Sequence, residues 1–372
     1  MQTIPVFKPS VSEKEISAVT EVLKSGWWGE GPKVKEFEEK FSRFIGKKYA
    51  VGLNSCTAAL HLAGQLLNLQ PGDEVITTPM TFISTAYLAT YHGAHIVFAD
   101  VEPETLNMDP EDVRKKITSR TKVIVPVHYG GHACRMEELM NLARQYKLKV
   151  VEDCAHATGG YYKNKVLGSF GDMSVFSFHA VKNLAMGDGG MLLTNNVRQY
   201  ERARRARWVG IDKDTAERVH PGGYSWEYQV HRPGFKFQMT DIAAALGLAQ
   251  LDRLQALNKQ RRIIAKAYDK ALASISWIET PVEKKYARSA YHNYVIKVGV
   301  DRNKLIGYLK SLGISTGVHY MPLYLHPVYA DVDVDCPIAD EVYKKILTLP
   351  LFPDLPNSDF ARIIDALKEF KA

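Results

Sequence analysis

Ser177-Phe178-His179-Ala180-Val181-Lys182-Asn183-Leu184-Ala185-Met186-Gly187-Asp188-Gly189-Gly190 sets one lysine in a short loop between two apolar runs, 173–176 and 191–194, that read as strands. Upstream, Val150-Val151-Glu152-Asp153 reads as a strand ending in an acid. An amine that can attack an aldehyde, with a carboxylate to pair with a pyridinium nitrogen, is what pyridoxal phosphate (PLP) requires. One lysine alone says little, because most of the 48 Lys and Arg residues must be solvated surface. The acid at a strand end, Ser177 five residues before Lys182, and the glycines after it make the coincidence specific.

Outward from this segment the chain alternates between strands and helices. Apolar runs at 49–53, 74–77, 96–99, 122–127 and 149–151 read as further strands, with helical stretches near 57–68, 83–92, 110–117 and 136–147. Such alternation predicts a mostly parallel, doubly wound α/β sheet covered by helices on both faces. Ser12 followed by Glu15 is a capping-box pattern opening a first helix, and a second carries Val34, Phe37, Phe41 and Phe44. A long amphipathic segment, 240–273, leads away from the sheet. Strands at 291–298 and 314–318, with helices at 303–312, near 338–346 and from 358, then form a smaller α/β unit. The expected division is a large domain at 1–250 and a small C-terminal domain at 251–372.

Composition bounds the function. No run approaches eighteen apolar residues, and the first residues lack the apolar core of a signal peptide, so neither a membrane span nor export is expected. Cys56, Cys134, Cys154 and Cys336 are scattered without CxxC spacing, which argues against a zinc site and a disulfide framework and suits a reducing cytoplasm. Of the net charge of +7, only Glu201-Arg202-Ala203-Arg204-Arg205-Ala206-Arg207 is concentrated. At helical spacing it reads as a solvated face, so no nucleic-acid partner is expected. A basic balance also suits an anionic small substrate such as a nucleotide diphosphate.

Asn54-Ser55-Cys56-Thr57-Ala58 lies where a strand hands over to a helix, and the free N–H groups of that helix start form an anion site with Ser55 and Thr57 as hydroxyl donors. A plain helix cap accounts for the same residues. Ser177 offers another phosphate hydroxyl. Phe82 follows the second strand at its carboxyl end, where ligands of open α/β sheets gather; it either stacks on a flat cofactor or belongs to the core. His156 either meets the cofactor's ring edge or is a buried histidine. Gly187-Asp188-Gly189-Gly190 lacks the GxxxxGK[ST] pattern, and no GxGxxG follows the first strand, so neither an NTPase nor a dinucleotide fold is supported.

Taken with Ser25-Gly26-Trp27-Trp28-Gly29-Glu30-Gly31-Pro32, Ser55-Cys56-Thr57-Ala58-Ala59-Leu60-His61, Pro79-Met80-Thr81-Phe82, Thr240-Asp241-Ile242-Ala243-Ala244-Ala245 and Leu347-Thr348-Leu349-Pro350, these residues make the chain resemble, nearly end to end, the sugar-nucleotide aminotransferases of the DegT–StrS group. The resemblance implies the PLP-dependent transferase fold type I, that of aspartate aminotransferase, with a mostly parallel seven-stranded sheet. It implies that Lys182 forms the internal aldimine, Asp153 pairs with the pyridine nitrogen, Phe82 stacks on the ring, and Cys56, Thr57 and Ser177 hold the phosphate. It also implies a homodimer with active sites shared across the interface.

Three positions depart from the commonest family pattern. His156 stands where many members have Gln, Asp188 where Glu is frequent, and Lys236 where an Asn often reaches the partner subunit's phosphate. Some relatives replace the lysine by histidine and dehydrate or deoxygenate; with Lys182 in place, transamination is the better reading. The expected reaction moves an amino group from glutamate to a keto-sugar on a nucleotide, serving amino-sugar, polysaccharide or antibiotic biosynthesis. A keto-cyclitol or free keto-sugar acceptor is the alternative, and a non-catalytic ligand sensor is the alternative of a different class. Substrate choice is expected to lie in loops around Trp27, 224–228 and 319–324, with His319 and Tyr320 as candidate contacts.

Overall fold

The computed structural model describes residues 3–213, 219–220, 223–224 and 226–371. The expected capping box opens α1 (Glu13–Ser25): the Ser12 hydroxyl accepts from Lys14 N, and the Glu15 carboxylate accepts from Ser12 N at 2.8 Å. Helix α2 (Pro32–Ile45) starts at Gly31, which has no side chain to cap it. Asp241 supplies the cap from a distance, accepting from Lys33 N at 3.1 Å and Val34 N at 2.9 Å. That carboxylate is the first residue of α8 (Asp241–Leu272), so one acid ties the N-terminal helices to the long helix.

Seven strands form the main sheet: β1 (Tyr49–Leu53), β2 (Glu74–Thr77), β3 (His95–Phe98), β4 (Thr121–Val125), β5 (Lys149–Asp153), β8 (Met173–Ser177) and β9 (Gly190–Thr194). Their order is β1-β9-β8-β5-β4-β2-β3. Only β9 is antiparallel to its neighbours, so the other six share one direction. Residues of both parities are buried along these strands. Val51, Val123, Val151 and Val175 pack in one core, and Ala50, Ile124, Val150 and Phe176 in a second on the opposite face. Between the strands run α3 (Cys56–Leu66), α4 (Ser84–Thr90), α5 (Pro110–Lys116), α6 (Met136–Tyr146) and α7 (Val197–Arg207), with short strands β6 (Tyr161–Tyr162) and β7 (Lys165–Val166).

Helix α7 corrects the expectation of a solvated arginine face. Arg207 is buried, bonding to Glu30, to Glu38 and, at 3.0 Å, to the carbonyl of Gly52, while Arg202 caps the carbonyl end of α3 through Gln65 O at 3.2 Å. The run is basic because it closes buried acids and a helix terminus.

After the hairpin β10 (Val219–His220) and β11 (Gly223–Tyr224), helix α8 leads to a third core. There Ala265, Tyr268 and Leu272 pack with Tyr294, Leu305, Ile363 and, from the other end of the chain, Ile4. The small sheet has order β12-β14-β15 (Ile278–Glu279, Tyr294–Val298, Ile346–Leu349), flanked by α9 (Arg302–Ser311), α10 (Pro337–Lys345) and α11 (Asn357–Glu369); β13 (Ala287–Arg288) joins β6 instead. The expected strand 314–318 is absent: Ile314 and Gly317 make single bridges to two different segments, at Ile4 and Thr348. The expected strand 291–298 begins only at Tyr294, because Ala290 N bonds to Gly131 O and the N–H groups of His292 and Asn293 to Gly130 O. Gly131 permits that approach: its φ is +97°, and a Cβ there would fall 2.9 Å from Tyr291 N. Among the described residues no helix is long and apolar enough to cross a membrane.

Candidate active site

Because six strands share a direction, their carboxyl ends lie together, and β9 begins at the same edge. A cavity of about 390 Å³ opens there. It is lined by Ser55, Cys56 and Thr57 after β1, Phe82 after β2, Asp153 and His156 at the end of β5, Ser177 at the end of β8, Lys182 and Asp188 on the following loop, and His319 and Tyr320 from the C-terminal third. Two expected residues stand elsewhere. Trp27 donates its indole N–H to Glu30 O at 2.9 Å, and Lys236 sits 3.7 Å over the Trp208 ring with its ammonium 2.6 Å from Gln238 Oε1. Neither lines the cavity of its own chain. Ser225, inside the expected 224–228 loop, lies outside the described residues.

The lysine loop is held by its own backbone. Phe178 N bonds to Gly189 O at 2.9 Å, Ala180 N to Gly187 O at 2.7 Å and Lys182 N to His179 O at 2.8 Å. Gly190 closes it against α3: a Cβ there would come 2.3 Å from the Ser55 carbonyl, so only glycine lets the lysine loop and the helix start meet. Burial pushes the Lys182 amine down to about 8, partly opposed by Cys56 and Asp153. A buried amine of this kind is a far better nucleophile at neutral pH than a surface lysine.

Asp153, 2% exposed, accepts from Thr85 Oγ1 at 2.8 Å and from Ala155 N at 3.0 Å. Burial raises its carboxyl, while those two donors and the Lys182 charge work the other way. Its neighbour Glu152 faces the opposite side and is spent on structure, accepting from the N–H groups of Gly168, Phe170 and Gly171 at 2.7–2.9 Å.

At the helix end of the cavity Ser55 is the cap of α3, accepting from Ala58 N at 3.1 Å, and Thr57 shares a 2.8 Å hydrogen bond with Ser84. The N–H groups of Cys56 and Thr57, at the first turn of α3, have no partner within the helix, and both residues line the cavity, an arrangement suited to an anion. Burial pushes the Cys56 thiol well up, so it enters as a neutral group. Phe82, at 57% exposure, is a wall of the cavity and no part of either core. His156 lies under Tyr320, rings 5.7 Å apart and 16° from parallel, with Nε2 2.8 Å from the tyrosine hydroxyl. Its Nδ1 is buried with no partner among the described residues. His319 meets Thr348 through Nδ1 at 2.8 Å, and burial beside Lys182 lowers it to about 4.

Sequence reasoning missed Thr85 and His292. Thr85 looked like one more residue of a helix near 83–92, and His292 fell inside a run taken for a strand. The adjacent pair Gly130-Gly131, which holds the His292 segment, was the available signal.

The comparison with protein families decides the assignment: the model of the DegT/DnrJ/EryC1/StrS aminotransferase family matches residues 9–368. The chain belongs to that family. The spore coat polysaccharide biosynthesis protein SpsC of Bacillus subtilis is 43% identical over 98% of this chain and 96% of its own. Spr1654 of Streptococcus pneumoniae in its PLP form superposes with a TM-score of 0.91 at 34% identity, covering 98% of both chains. The sugar aminotransferase CalS13 of Micromonospora echinospora does so with a TM-score of 0.89 at 32% identity, covering 99% of this chain and all of its own. As a family member the protein is a PLP-dependent sugar aminotransferase. The cavity fits that cofactor. It offers a buried amine, a buried carboxylate, an exposed flat ring, a helix start for phosphate and the unpartnered Nδ1 of His156.

Proposed function

We propose that the protein moves an amino group from glutamate to the ketone of a nucleotide-linked sugar. The observation that carries the reading is the convergence of Lys182 and Asp153, from two separate strand ends, on one cavity beside the start of α3. When bound, PLP supplies an electron sink for the substrate carbon that loses its proton. Every other task falls to side chains. Lys182 would hold the cofactor, and its amine, lowered to about 8, would take up and give back a proton near neutrality when free. Asp153 keeps the ring nitrogen protonated, and Phe82 covers the ring. Ser55, Cys56, Thr57 and Ser177 hold the phosphate, and His156 meets the ring edge. His319 and Tyr320 face the sugar, with Trp27 added as the outer substrate contact.

The same reading takes the protein as a cytoplasmic homodimer in which Lys236 reaches the partner's phosphate. Its absence from its own chain's cavity supports that arrangement, and the four buried, unpaired cysteines suit the compartment. We assign 1–250 to the cofactor domain and 251–372 to the small domain, supported by a third core that starts at Ala265 and takes in Ile4. The test is a panel of UDP-, dTDP- and GDP-linked keto-sugars, with conversion of glutamate to 2-oxoglutarate as the readout. Turnover with at least one is expected; turnover only with free keto-sugars or cyclitols would overturn the nucleotide assignment.

A further inference from the structure

His292 stands behind Lys182, and none of the roles above uses it. Its Nε2 lies 3.4 Å from Lys182 Nζ and its Nδ1 3.2 Å from Asn183 Oδ1. The direction of each bond follows from the far end of the chain of contacts. Asn183 Nδ2 lies 2.8 Å from the carbonyl oxygen of Ala290, which can only accept, so the amide's nitrogen faces that carbonyl and its oxygen faces the imidazole. His292 Nδ1 therefore carries the proton, and Nε2 presents a lone pair to the lysine. Asn258 repeats the logic: its Nδ2 donates to Thr158 O at 2.9 Å, leaving Oδ1 to accept from Asn183 Nδ2 at 2.8 Å. Four hydrogen bonds thus run one way, from Lys182 through His292, Asn183 and Asn258 to a backbone carbonyl.

The ring has little freedom to break this pattern. It is 2% exposed, stacks on Phe7 at 5.2 Å and 5°, and is carried by the backbone segment that Gly130 and Gly131 grip. Lys182, His156, Arg261 and His319 are the titratable groups facing it; burial first, then these, keep the imidazole neutral.

We propose that His292 is the positioning residue for Lys182, its unprotonated Nε2 accepting from the lysine amine whenever that amine is not joined to the cofactor. The inference rests on Lys182 being the reactive amine, and its test needs no turnover, so the two readings fail separately. In full-length protein labelled with ¹⁵N-histidine and freed of cofactor, the ring identified by its closeness to the Phe7 protons should show a protonated Nδ1 and a bare Nε2 at neutral pH. A protonated Nε2 would overturn the proposal, and this measurement needs no substitution. In the same cofactor-free protein, the pH midpoint for modification of Lys182 by trinitrobenzenesulfonate, read by peptide mass, should fall by about one unit in His292→Phe, because an acceptor favours the charged amine. His292→Gln, whose amide oxygen can accept, should recover most of that shift. An unmoved midpoint in His292→Phe would equally overturn it.

Discussion

Thr85 Oγ1 donates a 2.8 Å hydrogen bond to Asp153 Oδ2, and its own hydroxyl is backed by Thr81 at 2.9 Å. A buried carboxylate proposed to face a pyridinium needs such donors, because burial alone favours its neutral form. Thr85→Val keeps the shape and removes the donor. Asp153 should then protonate more readily, and the stripped protein should bind PLP about tenfold more weakly, the usual effect of losing a hydrogen bond to a charged group. Affinity within twofold of wild type, measured by spectrophotometric titration, would remove Thr85 from this role.

Lys182→Ala should fold as wild type and lose all measurable transamination. Borohydride treatment of wild type should fix the cofactor to the peptide containing Lys182, and no peptide of the variant should carry it. Turnover of the variant at the wild-type rate would end the assignment of Lys182.

The pH dependence of cofactor capture has a definite sign. Attack on the aldehyde needs the unprotonated amine, so capture of PLP by stripped protein should accelerate as pH rises and level off above about 8. A rate still climbing toward the ordinary lysine value of 10.5 would show that burial does not tune this amine.

Sharing of sites across a dimer is open to a mixing experiment. Where Lys182→Ala and Lys236→Ala are each inactive as homodimers, their heterodimer should regain activity, since one site collects both defects and the other has none. No recovery would mean that Lys236 serves its own chain.

Replacing Gly131 by Ala should cost roughly 1–3 kcal/mol of stability, because a side chain is strained at φ +97° and its Cβ meets the backbone of residues 291 and 292. Thermal denaturation measures the loss. A variant as stable as wild type would show that the segment can move away freely.

Much of the sheet was legible because its strands are short apolar runs with both faces buried, and Lys182 and Asp153 stand where strands meet loops. What stayed hidden depends on distant partners. Nothing local marks Arg207 as the partner of Glu30 and Glu38, since it stands in a run of arginines at helical spacing with no feature that sets it apart. The run 314–318 has strand composition, but its two bridges go to different segments, one to Ile4 and one to Thr348, so no continuous ladder forms. Lys236 looked like a cofactor ligand; whether it is one depends on a second chain that a single sequence does not display.

The bridge between Ile4 and Ile314 bears on the order in which the chain is made. Ile4 is synthesised some three hundred residues before Ile314, roughly 15 to 60 s earlier at ordinary rates of translation. For most of that interval Ile4 and Phe7 have no docking surface, because the third core and the His292 ring do not yet exist. The segment carrying Ile4 and Phe7 therefore cannot settle until the residues it docks on have been made, and its seat beside His292 and His319 forms only after both have emerged.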